Sequence, residues 1–250
     1  MGVAVKVEAM KALRSPVWIV ATLILVLGLC GLLTVITVGA AARQPDLMAK
    51  LGPAAAPGWA GLLAGAAQVV SVSSLLACGV VVAWMFGREF ADGTIVGLFA
   101  LPVRRWQIAV AKLAVYLVWT TVVGLVLSVS VTCMGVTLGF GPPEPEVVSA
   151  LLRLWLLTVL SGLIAVPAAL VATLARSLLA AVGCTIALVV IGQISALAGL
   201  NGWMPVAAPA LWAMGAGATV TGLQLMLVVI FGLGFAGLTA LAWFRLQLCR

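Results

Sequence analysis

Long apolar runs, separated by short charged or Gly- and Pro-bearing segments, divide the chain at Val17 to Ala42, Gly61 to Phe86, Leu113 to Phe140, Leu151 to Ala175, Leu178 to Leu200 and Leu223 to Phe244. A helix needs about 20 apolar residues to cross the hydrocarbon core, and every run reaches that length. The pattern predicts an all-α, polytopic membrane protein with six transmembrane helices in one membrane domain over 1–250. Within it, 1–16 forms an interfacial helix, 17–86 the first two spans, 87–112 a connection, 113–200 spans three to five, 201–222 a segment at the outer face, and 223–250 the last span and a tail. Lys6, Lys11 and Arg14 ahead of the first run imitate a secretory signal. That run exceeds the roughly 7–15 apolar residues of a signal core, so it is kept as a span.

Two polar-apolar patterns lie outside the spans. From Val3 to Pro16, Val3, Val7, Met10 and Leu13 recur at helical spacing while Lys6, Glu8, Lys11 and Arg14 fill the other positions. This predicts an amphipathic helix on the membrane surface, or else a charged start to the first span. Between the last two spans, Gly199 to Gly222 holds Trp203, Trp212, Pro205 and Pro209 and no charge. Backbone broken by Pro and Gly cannot face lipid unsatisfied, so short interfacial or re-entrant helices are expected there, an apolar surface loop being the plainer reading.

Composition agrees with the pattern: 65% of residues are hydrophobic and 8% charged, and the mean hydropathy is +1.32. Soluble domains carry about 25% charged residues, so a water-soluble globule is excluded, as are a disordered chain and a nucleic-acid-binding module. The net charge of +7 is unevenly spread. With an inside N-terminus, Lys6, Lys11, Arg14, Arg88, Arg104, Arg105, Lys112, Arg176, Arg245 and Arg250 fall on the cytoplasmic side, and only Arg43, Lys50 and Arg153 outside. This bias predicts a multi-pass membrane protein with both termini cytoplasmic.

Several chemistries are disfavoured. There is no histidine, the five cysteines are scattered without metal-ligand spacing, and no metal site is expected. The predicted spans hold no Asp or Glu, and Arg153 lies near a span end where it can snorkel. Ion-coupled secondary transport usually needs such a group, so a stand-alone carrier or channel is the alternative rather than the leading reading. A membrane enzyme would have only Glu89 and Asp92 as clustered acids facing the cytoplasm. No phosphate-binding G-x-x-x-x-G-K-[ST] motif occurs, and Gly232, Gly234 and Gly237 match the dinucleotide spacing only inside an apolar span. Gly61 with Gly65, and Gly135 with Gly139, suit close helix packing. Among the mild polar residues of the spans, Gln68, Ser71 and Gln193 are candidates for a substrate path, or else serve as interhelical hydrogen-bonding groups.

The richest segment is the connection from Gly87 to Lys112. Asp92-Gly93-Thr94 makes a turn able to cap a following short helix, Ile95 to Leu101 is apolar, and Pro102 ends it. An apolar run containing Ile95 and Leu98, rimmed by Glu89, Asp92, Arg104 and Arg105, suits a protein-binding surface as well as a helix lying on lipid headgroups.

Glu89, Gly93-Thr94, Pro102, Arg105 and Lys112, followed directly by a span, resemble the connection between the second and third spans of the type-2 family of ABC transporter permeases. The resemblance extends to Glu8-Ala9-Met10-Lys11-Ala12-Leu13-Arg14-Ser15-Pro16, to the six spans, and to the Pro- and Trp-bearing segment before the last span. It implies a permease subunit of an ATP-driven exporter of amphipathic substrates such as drugs, antibiotic peptides or lipid-like molecules. It further implies a separate ATP-binding subunit that carries ATP and Mg, a second permease copy or paralogue, and no cofactor or catalytic residue on this chain. By the same resemblance the N-terminal helix, with Glu8, Lys11 and Arg14, contacts the ATP-binding subunit. Gly93 and Thr94 shape a coupling helix, Glu89 stabilises its approach or meets the ATPase, and Arg105 and Lys112 anchor the return.

Overall fold

The computed structural model describes residues 2–42, 50–95, 97, 103–215 and 217–246. These form an all-helical bundle. In chain order, α1 (Gly2–Leu13) precedes α2 (Pro16–Ala41), a 3-10 turn (Gly52–Ala55), α3 (Gly58–Ala91), α4 (Arg105–Thr137), α5 (Pro145–Ala165), α6 (Pro167–Ala175) and α7 (Leu178–Leu197). A second 3-10 turn (Asn201–Trp203), α8 (Ala208–Met214) and α9 (Gly222–Arg245) complete it. Six helical segments are long and apolar enough to cross a membrane, α5 and α6 together making one. They coincide with the six apolar runs.

Local chemistry sets several boundaries. Ser15 caps α2 by accepting a hydrogen bond from the Val17 N–H at 3.2 Å, with Pro16 in the first turn, where its missing N–H is harmless. The run expected as one span from Leu151 to Ala175 is two helices, because Pro167 has no N–H to donate and its ring crowds the preceding turn. Two helices also run further than the apolar pattern. Rather than stopping near Phe86, α3 continues to Ala91, and α4 begins at Arg105 instead of Leu113. Glu89 and Lys112 are therefore helical residues, and the connection between these helices shortens to 92–104.

The core is built around α3, which packs on α2, α5 and α7, while α4 packs on α5 and α9. Small residues permit the closest approaches: a Cβ on Gly79 would lie 2.1 Å from the Thr185 side chain of α7, and one on Gly135 would lie 2.2 Å from the Trp59 ring. Gly61 and Gly65 are also packed positions, whereas Gly139 has open space around it and a φ of 81° in the turn after α4. At the end of the bundle carrying α1, Phe86 meets Trp243 edge-on at 5.8 Å, and the Trp243 indole donates to Thr173 Oγ1 at 3.0 Å. By contrast, α2, α7 and α9 leave broad apolar faces exposed, including Leu27, Leu197 and Leu233.

The segment before the last span does fold into short helices packed on the bundle, with α8 lying against α3 and α5. Trp212 is partly buried against the core, whereas Trp203 is exposed.

Candidate functional site

At the α1 end, four charged side chains from three helices meet. Lys112 of α4 donates to Glu89 Oε1 of α3 at 2.7 Å, to Glu8 Oε2 of α1 at 2.9 Å, and to the Met85 carbonyl of α3 at 3.3 Å. An ammonium has three protons, so all of them are used. Lys11 of α1 adds bonds to Glu8 Oε1 at 3.2 Å and Glu89 Oε1 at 3.3 Å. Lys112, Glu89 and Glu8 are buried, at 1%, 2% and 4% exposure, while Lys11 sits at the rim.

Two acids against two lysines make the group neutral, which is what allows it to be buried. Each ion taken from water alone would lose several kcal/mol of solvation (about that order), and each here recovers it from two opposite charges or donors. Burial by itself would lower the Lys11 ammonium, but the adjacent Glu8 and Glu89 carboxylates outweigh it and hold Lys11 above its ordinary value of 10.5.

The α1 register delivers Glu8 to this group. Ala4, Glu8 and Ala12, spaced four apart, form its buried face, and the two small alanines let α1 lie close against α4. The apolar stripe Val3, Val7, Met10 and Leu13 points outward, with Val3 74% and Leu13 80% exposed. Arg14 is exposed in the turn that follows α1.

The chain after Glu89 turns back on the group. Asp92 ends α3, and Gly93 takes φ 67°, a left-handed conformation that side-chain-bearing residues adopt at a cost. That reversal lets the Thr94 hydroxyl donate to the second Glu89 carboxylate oxygen, Oε2. Ile95, the next residue, is buried in the core cluster. Asp92 itself is exposed and paired with Arg88 at 3.7 Å, whose guanidinium stacks over the Trp84 ring at 4.6 Å. Leu98 and Pro102 lie outside the described residues, as do Arg43, Asp46 and Arg250. Where the chain re-enters helix, Arg105 donates to the Leu246 carbonyl, joining the start of α4 to the end of α9.

The structure thus brings together Glu8, Lys11, Glu89, Thr94 and Lys112. Asp92 and Arg105 flank them, and Arg14 stands apart. Of the polar span residues, Ser71 donates to the Gln68 carbonyl at 2.7 Å within α3, and both side chains are partly buried. Gln193 is exposed on α7. The pairing of Gly87 with Leu178 and of Gly79 with Thr185, continued along these antiparallel helices, sets Gln193 at the depth of Ser71. Sequence reasoning missed Trp84 and Met85 as neighbours of the charged group. The i, i+4 spacing of Trp84 and Arg88 was the available signal for the first, while a backbone carbonyl leaves none. Among the described residues, no three His, Cys, Asp or Glu side chains gather as a metal site.

A family model described as ABC-2 family transporter protein matches residues 4–192. The chain belongs to that family. No curated protein matches the sequence. The matched stretch contains α1 from Ala4 onward, the 92–104 connection and all four charged residues of the buried group, and it ends within α7. The protein is therefore a multi-pass membrane permease subunit of an ABC-2 type transporter, a domain without nucleotide-binding motifs. ABC-2 permeases generally pair with ATP-binding subunits.

Proposed function

We propose that this ABC-2 permease is the membrane half of a bacterial exporter. It moves an amphipathic substrate, such as a drug, an antibiotic peptide or a lipid-like molecule, using ATP and Mg bound by a separate subunit. The observation that carries the reading is the buried four-charge group. It joins the N-terminal helix, the end of α3 and the start of α4 into one unit directly beside the 92–104 connection. A push on that connection reaches three helices at once, because the group can be separated only by exposing or unpairing buried ions. Glu89, buried and bonded to Thr94, serves as the strut of the connection rather than as a contact for the ATPase. Gly93 and Thr94 set its direction, Ile95 roots it in the core, Pro102 ends it and Arg105 with Lys112 fixes the return. Asp92, Leu98 and the outward stripe of α1, beside Lys11 and Arg14, are offered to the ATP-binding subunit.

The excess of Lys and Arg at the α1 end supports a cytoplasmic placement of both termini. The exposed apolar faces of α2, α7 and α9 support pairing with a second permease copy or a paralogue. Gln68 and Ser71, with Gln193 on an exposed face at similar depth, would line a path completed by that second unit.

The test is the assembled complex in proteoliposomes. Leu98→Asp is expected to lower both transport and substrate-stimulated ATP hydrolysis severalfold, with the unfolding temperature of the permease unchanged. Wild-type activity in a stably expressed Leu98→Asp variant contradicts coupling through this segment. Transport by the purified permease alone, without ATP, would instead favour a stand-alone carrier or channel.

A further inference from the structure

A cleft also opens at the α1 end of the bundle, beside α6 and α9. Arg176 and Arg245 rim an open cleft of about 540 Å³ between α6 and α9, whose floor is Leu170, Leu174, Leu238 and Leu241. The contacts of Gly87 with Leu178 and of Trp243 with Phe86 and Thr173 set this cleft at the level of the buried charged group, where the spans end.

We infer that this cleft binds an anionic phospholipid, with its phosphate at Arg176 and Arg245 and an acyl chain along the leucine floor. Charge and shape both argue for it. Two guanidinium groups stand over an apolar groove that faces outward between two spans, and among the described residues no Asp or Glu lines it. Guanidinium forks match phosphate oxygens geometrically, and basic pockets between spans suit acidic headgroups. Leu174 is 67% exposed and Leu238 49%, so the floor is open to a chain arriving from the bilayer. The backbone supports the placement. Arg176 follows the last residue of α6 at φ 50°, a left-handed position that glycine fills more readily. Arginine there turns its side chain to the rim of the cleft and sets a cation at the C-terminal end of α6. On the far side, Arg105 holds the Leu246 carbonyl, fixing the last turn of α9 that carries Arg245. A free phosphate would use the arginines but leave the leucine floor uncovered, so the lipid is the better fit. This inference is independent of the coupling reading and of which side of the membrane the α1 end faces.

The experiment is native mass spectrometry of the full chain released from bilayers of equal phosphatidylglycerol and phosphatidylcholine. The wild-type chain is expected to retain phosphatidylglycerol preferentially. Each arginine replaced by Gln should weaken that retention by about fivefold. Arg245→Gln alone leaves the left-handed turn at Arg176 untouched and should give one such step, and Arg176→Gln/Arg245→Gln two. Arg176→Lys/Arg245→Lys should keep most of the preference, and Lys6→Gln/Lys50→Gln, a matched loss of exposed charge, should keep all of it. Equal retention by the wild-type and double-Gln chains overturns the inference, whether a second copy or a protein partner then covers the cleft. So does displacement of the lipid by inorganic phosphate alone.

Discussion

Lys112 places an ammonium where Glu8, Glu89 and the Met85 carbonyl converge, and its side chain is 1% exposed. Lys112→Met should therefore lower stability by about 3–5 kcal/mol, because two carboxylates remain buried with one lysine between them. In a Glu8→Gln/Glu89→Gln background the same substitution should do much less, and thermal unfolding of the four proteins as a cycle measures the difference. The pH dependence has a definite sign. Because Lys11 is raised above 10.5 in the folded protein, its contribution is fully present below that value and is lost as pH rises past the folded value. The gap in melting temperature between the wild-type and Lys11→Met chains should stay level from about pH 7 to 9 and close only above about pH 10.5. A gap that closes in the neutral range would show that Lys11 is not held by the two acids. Glu8, Lys11, Glu89 and Lys112 each stood out in the sequence, but their convergence did not. Glu8 and Lys112 are 104 positions apart, and no spacing rule joins them.

At the scale of elements, the α3 terminus shows how a helix and its apolar stretch can differ in length. The hydropathy change after Phe86 marks where an apolar environment ends, and the helix runs on to Ala91 because Glu89 finds its partners on α1 and α4. The same pairing lets α4 begin at Arg105. The six spans were thus legible from apolar runs, as was the amphipathic N-terminal helix. Which face of that helix is buried was not: the face chosen against the bundle is Ala4, Glu8 and Ala12, since a neutral charged group with small neighbours packs there and the aliphatic stripe is left outward. The break at Pro167 was visible as a residue but lay hidden within an unbroken apolar run. Two element-level outcomes follow. Gly93→Ala places a side chain at φ 67°, which costs about 1 kcal/mol and pulls Thr94 from Glu89. ATP hydrolysis by the assembled complex should lose much of its stimulation by substrate while expression is preserved. Gly79→Leu drives a side chain into Thr185, and a loss of about 1–3 kcal/mol, seen as a lowered melting temperature in detergent, should accompany separation of α3 from α7.

On the scale of the whole molecule, the permease is lopsided in two ways. Its Lys and Arg gather at the α1 end, together with the buried charged group and the 92–104 connection, and its outer helices α2, α7 and α9 leave apolar surface exposed. On the proposed function, the first asymmetry would anchor the ATP-binding subunit, and the second would give surface to lipid and to another membrane unit. Family membership was legible from the connection and the N-terminal segment, since both lie within the matched residues 4–192. The substrate was not, because the mild polar residues of the spans are as well suited to holding helices together as to passing a molecule. The central claim, that this chain works with a separate ATPase through its α1 end, is tested most directly by gentle extraction of the tagged permease from its native membrane and identification of what co-purifies in stoichiometric amount. The account predicts an ATP-binding subunit with a phosphate-binding loop, recovered in much lower yield from a Leu98→Asp chain. A permease that emerges alone, with mild crosslinking also capturing no ATPase, would contradict it.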